Sequence, residues 1–183
     1  MNDEQFWGLL DVAGKTAGDD LERRYQAVFD QLKDMSRDDL VDYTVRFAKA
    51  HETTFTAGVI CGAYLIYEGN LTHDSFLDFS DCLVGLGRAT LERVVACPDS
   101  LTDYLELAYC PSLFFSMAGI KAYNSKLKRR ESPLEDYLPP LPSGAFEAIH
   151  FAGKQGLDVA CRASCEVLTP VLAAKFGPAI WSA

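Results

Sequence analysis

The sequence lacks any apolar run long enough to cross a bilayer as a helix. Its uncharged stretch between Glu52 and Glu68 is 15 residues, short of the roughly 20 that a membrane core requires, so a buried central helix and no membrane partner are expected. No signal peptide is expected either, because Asp3 and Glu4 stand where a positive region belongs. Basic charge is scarce in the middle, where residues 53–110 hold 2 Lys or Arg against 8 Asp or Glu. With a net charge of -9, such a chain repels phosphate backbones and steers cationic partners inward, which argues against nucleic acid. Six cysteines occur without a CxxC pair, and most fall within apolar helical patterns. A reduced, cytoplasmic protein is therefore expected. GxxxxGK[ST], GxGxxG after a strand and GxSxG are all missing, which removes the usual signatures of nucleotide-dependent and hydrolytic enzymes.

What is present is helical periodicity. At 183 residues and 49% hydrophobic, the chain is long enough to remove roughly 70% of its unfolded surface from water as one domain. Asn2 or Asp3 can cap a helix with Phe6, Leu9, Leu10 and Ala13 on one face. Asp19 or Asp20 precedes a stripe of Leu21, Tyr25, Val28, Phe29 and Leu32. Ser36 with Asp39 resembles a capping box ahead of Leu40, Tyr43, Phe47 and His51. Thr53 or Thr54 should start the uncharged helix, in which Gly58 and Gly62 form a GxxxG that lets a neighbour approach closely. Thr72 can cap a helix with Phe76, Phe79, Leu83 and Leu86, with Gly87 as a left-handed stop. Further helices are expected around Leu91 to Val95, from Ser100, and from Pro111.

Pro133, Pro139, Pro140 and Pro142 rule out regular helix over residues 130–144, which read as a Pro-rich strap. Beyond it, helices interrupted at Pro170 and ended by Gly177 and Pro178 should dock on the core. The expectation is an all-α single domain, residues 1–183, with a helical core over 1–129, the strap over 130–144, and C-terminal helices over 145–183. Such a bundle would have roughly eight to ten helices.

Residues 53–101 resemble the uncharacterised bacterial domain-of-unknown-function family 4240, as does the opening MNDEQFWGLL. The pieces that carry the resemblance are Phe6 and Trp7; Ala63, Tyr64, Leu65 and Ile66; Asp74, Ser75, Phe76, Phe79 and Leu83; and Gly87, Pro98, Asp99 and Leu101. They are mostly apolar or turn-forming. The resemblance implies an acid where Gly58 stands, an acid at His73 and a basic residue at Ser80. It therefore supplies a helical frame, with a changed polar signature in this divergent member.

Candidate chemistry is thin. The histidines are His51, His73 and His150. His51 with Glu52 and His73 with Asp74 both lack the i, i+4 pairing of a helical metal site, so no metal and no cofactor are expected. Cys161 and Cys165 share a helix face beside Arg162, but a buried, inert pair is the expectation, as it is for Cys61 and Cys82. Lys126, Lys128, Arg129 and Arg130 read as a helix C-terminus whose cations complement the dipole. Asp74, Asp78 and Asp81 recur at i, i+4 and i+7, which places them along one outer face opposite Phe76, Phe79 and Leu83.

No catalytic residue emerges. The expected function is a non-enzymatic binding protein of the immunity or antitoxin kind, which neutralises a toxin with a basic surface. The proposed binding face joins Glu68, His73, Asp74, Asp78 and Asp81 to Tyr64 and Tyr67 as aromatic anchors, with Tyr64 open to a core role instead. The alternatives are a small enzyme working through a Cys or His, and a structural module that oligomerises. The oligomeric state is left open.

Overall fold

Short polar side chains start most of the helices. In the computed structural model, which describes residues 1–109, 115–127 and 162–182, Asn2 accepts the Gln5 amide at the head of α1 (Asp3–Ala17), and the Gln5 side chain returns to the Asn2 amide. Asp20 caps α2 (Leu21–Lys33) and Ser36 caps α3 (Arg37–Glu52). Each satisfies an amide that the first helical turn leaves without a partner. The uncharged helix α4 (Ala57–Ile66) starts later than expected, at Thr56. The hydroxyls of Thr53 and Thr54 instead donate to the carbonyls of Ala50 and His51, both at 2.7 Å. They finish α3 and leave α4 to the next threonine.

Thr72 and Ser75 form the capping box of α5 (His73–Gly85). Gly87, at φ +99°, then turns the chain into α6 (Arg88–Ala96). Past Pro98 the expected α-helix is replaced by 3-10 turns over Pro98–Asp103 and Leu105–Tyr109. A further turn, Phe115–Met117, leads into α7 (Ala118–Leu127). Residues 162–168 are helical and continue through Thr169 into α8 (Pro170–Trp181). The described residues form no strand, and the protein is all-α. The expected strap at 130–144 lies outside the described residues.

Gly177 and Pro178 do not end the last helix, as their types suggest, but lie within it. The missing proline N–H affects only the final turn, where solvent reaches the freed carbonyl. Gly177 is needed for another reason: a Cβ there would fall 2.0 Å from the Trp181 ring, which folds back over the helix.

The apolar faces of α1, α2, α3, α5 and α7 meet in one cluster that includes Phe6, Val28, Leu32, Tyr43, Phe47, Phe76, Phe79 and Phe115. The GxxxG of α4 works as expected, by close approach. A Cβ at Gly58 would lie 2.7 Å from the Pro98 ring, and one at Gly62 would lie 2.7 Å from Leu101 and 3.4 Å from Leu172. Helix α8 therefore lies on α4 and on the Pro98–Asp103 turn.

Pro170 supplies no amide and Thr169 makes no side-chain cap, so the head of α8 is capped from elsewhere. The Asp99 carboxylate accepts the amides of Val171 (3.1 Å) and Leu172 (3.0 Å). A carboxylate here also complements the positive end of the helix dipole. Asp99→Ala should cost about 1–2 kcal/mol, read as a lower urea midpoint at unchanged slope, with Asp99→Asn retaining most of the cap. Equal midpoints for wild type and Asp99→Ala would refute this role.

Candidate functional site

The candidate surface lies at the connection between α4 and α5. Helix α4 closes with the Glu68 amide on the Leu65 carbonyl (3.1 Å) and the Gly69 amide on the Tyr64 carbonyl (2.9 Å). This paired closure needs a left-handed residue, which is ordinarily glycine. Here Glu68 takes that place at φ +52°, followed by Gly69 at φ +80°. Two consecutive left-handed residues turn the chain sharply and leave the Glu68 side chain exposed.

His73 and Asp74 occupy the first turn of α5. The Asp74 carboxylate is 97% exposed and lies 3.4 Å from His73 Nδ1. Its charge is favoured at a helix N-terminus. Asp78, one turn later, is partly exposed. Tyr67 is half-buried, with its hydroxyl near the carbonyls of Leu107 (3.2 Å) and Ser75 (3.4 Å) and its ring edge-on to Phe79. Burial, and then the negative charge of Asp78, push the Tyr67 phenol above its ordinary pKa. Tyr67 and Asp78 are thus brought together.

Two of the expected residues are elsewhere. Tyr64 is 6% exposed and belongs to the core, not to an anchor position. Asp81 is 4% exposed, and its carboxylate accepts the Ser116 amide at 3.3 and 3.2 Å. The spacing of Asp74, Asp78 and Asp81 does put them on one side of α5, but depth changes along that side. Every residue from 79 to 85 is buried, because α2, α6 and the Phe115–Met117 turn surround the second half of the helix. The acidic face therefore reduces to Glu68, Asp74 and Asp78, flanked by His73 and Tyr67. The span from residue 50 to residue 87 contains no Lys or Arg.

Among the described residues the other titratable groups do not converge on a reaction centre. His51 is held below its ordinary pKa by burial, although the Leu77 carbonyl opposes the shift, and its ring meets Phe55 edge-on. Among the described residues no group of three His, Cys, Asp or Glu side chains could hold a metal ion. Cys61 and Cys165 are buried thiols, with Cys165 Sγ 3.9 Å from the Cys61 carbonyl. The partner in the expected i, i+4 pair, Cys161, lies outside the described residues, as do His150 and the basic residues after Lys126. Cys82 departs from expectation: it is as buried as foreseen, but it is disulfide-bonded. No local motif signals this.

The sequence reading also missed an open cavity of about 470 Å³ on the C-terminal helices, lined by Arg162, Glu166, Pro170, Ala173, Ala174, Pro178, Trp181 and Ser182. Among the described lining residues the one cation is Arg162, which pairs with Glu166 at 3.0 Å and sits 5.0 Å over the Trp181 ring.

The model of a family described as a protein of unknown function, DUF4240, matches residues 1–124. The chain belongs to that family. No curated protein and no solved structure matches it. The DUF4240 match runs from α1 into α7 and stops short of α8. Within it, the positions that carry the resemblance are largely core: Phe6, Tyr64, Leu65, Ile66, Phe76, Phe79, Leu83 and Leu101 are all buried. At Gly58 and Ser80 the structure leaves no room for a charged side chain. Gly58 is pressed on Pro98, and Ser80 is fully buried with its hydroxyl 3.0 Å from that of Thr54. Among the described residues no helix is long and apolar enough to cross a membrane.

Proposed function

We propose that this protein is a non-catalytic binding protein of the bacterial immunity or antitoxin kind, and that it covers a basic surface of a protein toxin with its acidic corner. Glu68, Asp74 and Asp78 supply charge, His73 supplies a polar edge, and Tyr67 supplies the aromatic contact. The observation that carries this reading is Asp74, 97% exposed at the head of α5, in a span that has no Lys or Arg from residue 50 to residue 87. Such a field accelerates encounter with a cationic partner and selects against anionic ones. Tyr67 suits an anchor because its hydroxyl is held by backbone carbonyls, so little freedom is lost when the ring edge is covered.

The compartment expected for this role is the cytoplasm. The disulfide at Cys82 is the observation that runs against it, since such bonds are rare where glutathione and thioredoxin keep thiols reduced.

Asp74→Lys with Asp78→Lys should weaken capture of the host partner at least tenfold, and raising salt should weaken wild-type capture. The neutral pair Asp74→Asn with Asp78→Asn should fall between the two, and circular dichroism checks that each variant folds. Unchanged, salt-independent capture by a folded charge-reversed variant would remove this face from consideration.

A further inference from the structure

We propose that Asp81 is a proton-controlled latch, which holds the Phe115–Met117 turn against α5 while protonated and loosens it on ionising. Several contacts seat this turn, among them the Tyr25 ring, edge-on to Phe115 at 5.6 Å. Asp81 accepts the Ser116 amide, the Tyr43 hydroxyl donates to the Phe115 carbonyl at 2.9 Å, and Gly85 lies so close under the Phe115 ring that a Cβ there would be 2.8 Å away. Two of these seats, Asp81 and Gly85, belong to α5.

The surroundings of Asp81 favour its neutral form. It is 4% exposed. The charged and titratable groups on the surrounding elements include Tyr25 and Arg24 on α2, Tyr43 on α3, Asp78 on α5, Lys121 on α7, and on α6 Arg88 and Arg93, which pair with Glu92 and Asp103. Arg24 donates instead to the carbonyls of Gly85 and Leu86, and Lys121 lies on the Tyr25 hydroxyl at 3.1 Å. No described cation reaches the Asp81 carboxylate, and Asp78 adds a like charge. Burial is the main cause that pushes the Asp81 carboxyl up to about 7, with the hydrogen bonds from Ser116 opposing it. Tyr43 is raised in turn by its own burial and then by Asp81.

The sign follows from proton linkage. A carboxyl exposed by opening ionises near its ordinary value of about 4, whereas the closed state keeps its proton to about 7. Closure is therefore fully favoured below about pH 4, weakens by up to about tenfold per pH unit to about pH 7, and levels off above. The turn is released as pH rises through the neutral range.

Hydrogen exchange at the Ser116 amide, divided by the rate of an unstructured peptide at each pH, reads this directly. Between pH 5 and pH 8 the protection should fall at least tenfold in wild type and stay level in Asp81→Asn, which keeps an acceptor for Ser116. Level protection in wild type, or the same fall in Asp81→Asn, would overturn the proposal. If Asp81→Asn does not fold, a carbon-13 titration of the wild-type Asp81 carboxyl decides: a midpoint above about 5.5 supports the latch, and one below that refutes it.

Discussion

Phe47→Ala should lower the unfolding free energy by about 3–5 kcal/mol. Phe47 is completely buried on α3, with Tyr43 on the same helix at 5.8 Å and Phe6 of α1 at 6.2 Å between ring centres. Phe6 also reaches Tyr43 at 5.5 Å, so the three rings brace one another and none can swing freely into the space that truncation leaves. A site that collapses poorly pays for both the lost transfer energy and the cavity. Against an ordinary total of about 5–15 kcal/mol, the loss is a large share. The melting temperature should drop by about 2–4 °C per kcal/mol in a chain of this size. Val12→Ala, at a position 49% exposed on α1, serves as the control and should stay within about 0.5 kcal/mol. A loss under about 1 kcal/mol for Phe47→Ala, at unchanged denaturant slope, would show that the aromatic cluster is looser than described.

The second large effect is expected from Gly62→Leu. The first added carbon alone would lie 2.7 Å from Leu101 Cδ1 and 3.4 Å from Leu172 Cδ1, and both leucines are fully buried, so neither side chain has an easy escape. Overpacking of this kind typically costs about 1–3 kcal/mol, and three further carbons should place Gly62→Leu at the upper end or lift α8 from its seat. Gly62→Ala gains about 1 kcal/mol of helix propensity, which offsets much of its milder clash, so its net change should be near zero to about 1 kcal/mol. Urea unfolding ranks the two variants, and limited proteolysis over residues 162–182 reports whether α8 has come away. A Gly62→Leu protein as stable and as protected as wild type would contradict the close crossing.

The legible parts of the fold were those decided by local chemistry. Asn2, Asp20, Ser36 and Thr72 cap helices because a short oxygen beside loose amides has few alternatives, and Phe6, Leu10, Tyr43 and Phe47 recur at helical spacing because one face is buried. Where a side chain could serve two neighbours, sequence was ambiguous: Thr53 and Thr54 finish one helix just as readily as they could begin another. Pro178 reads as a stop, yet the last turn of a helix tolerates it. The face of the candidate site was legible and its depth was not. Periodicity gives an angle around the α5 axis, which groups Asp81 with Asp74 and Asp78, but burial depends on elements distant in sequence, here the turn that begins at Phe115. The same applies to Asp99, whose helix-capping role connects residues 72 and 73 positions apart.

The seat of α8 also bears on where this protein can be divided. Cys165, Leu172 and Ala173 belong to the same buried cluster as Phe6 and Phe79, although the family match ends at residue 124. A fragment cut at that boundary would bare the groove between Gly62 and Leu101 to water and leave Asp99 without the amides it holds. The family match thus ends before a helix that buries one face, through Leu172 and Ala173, in the same core.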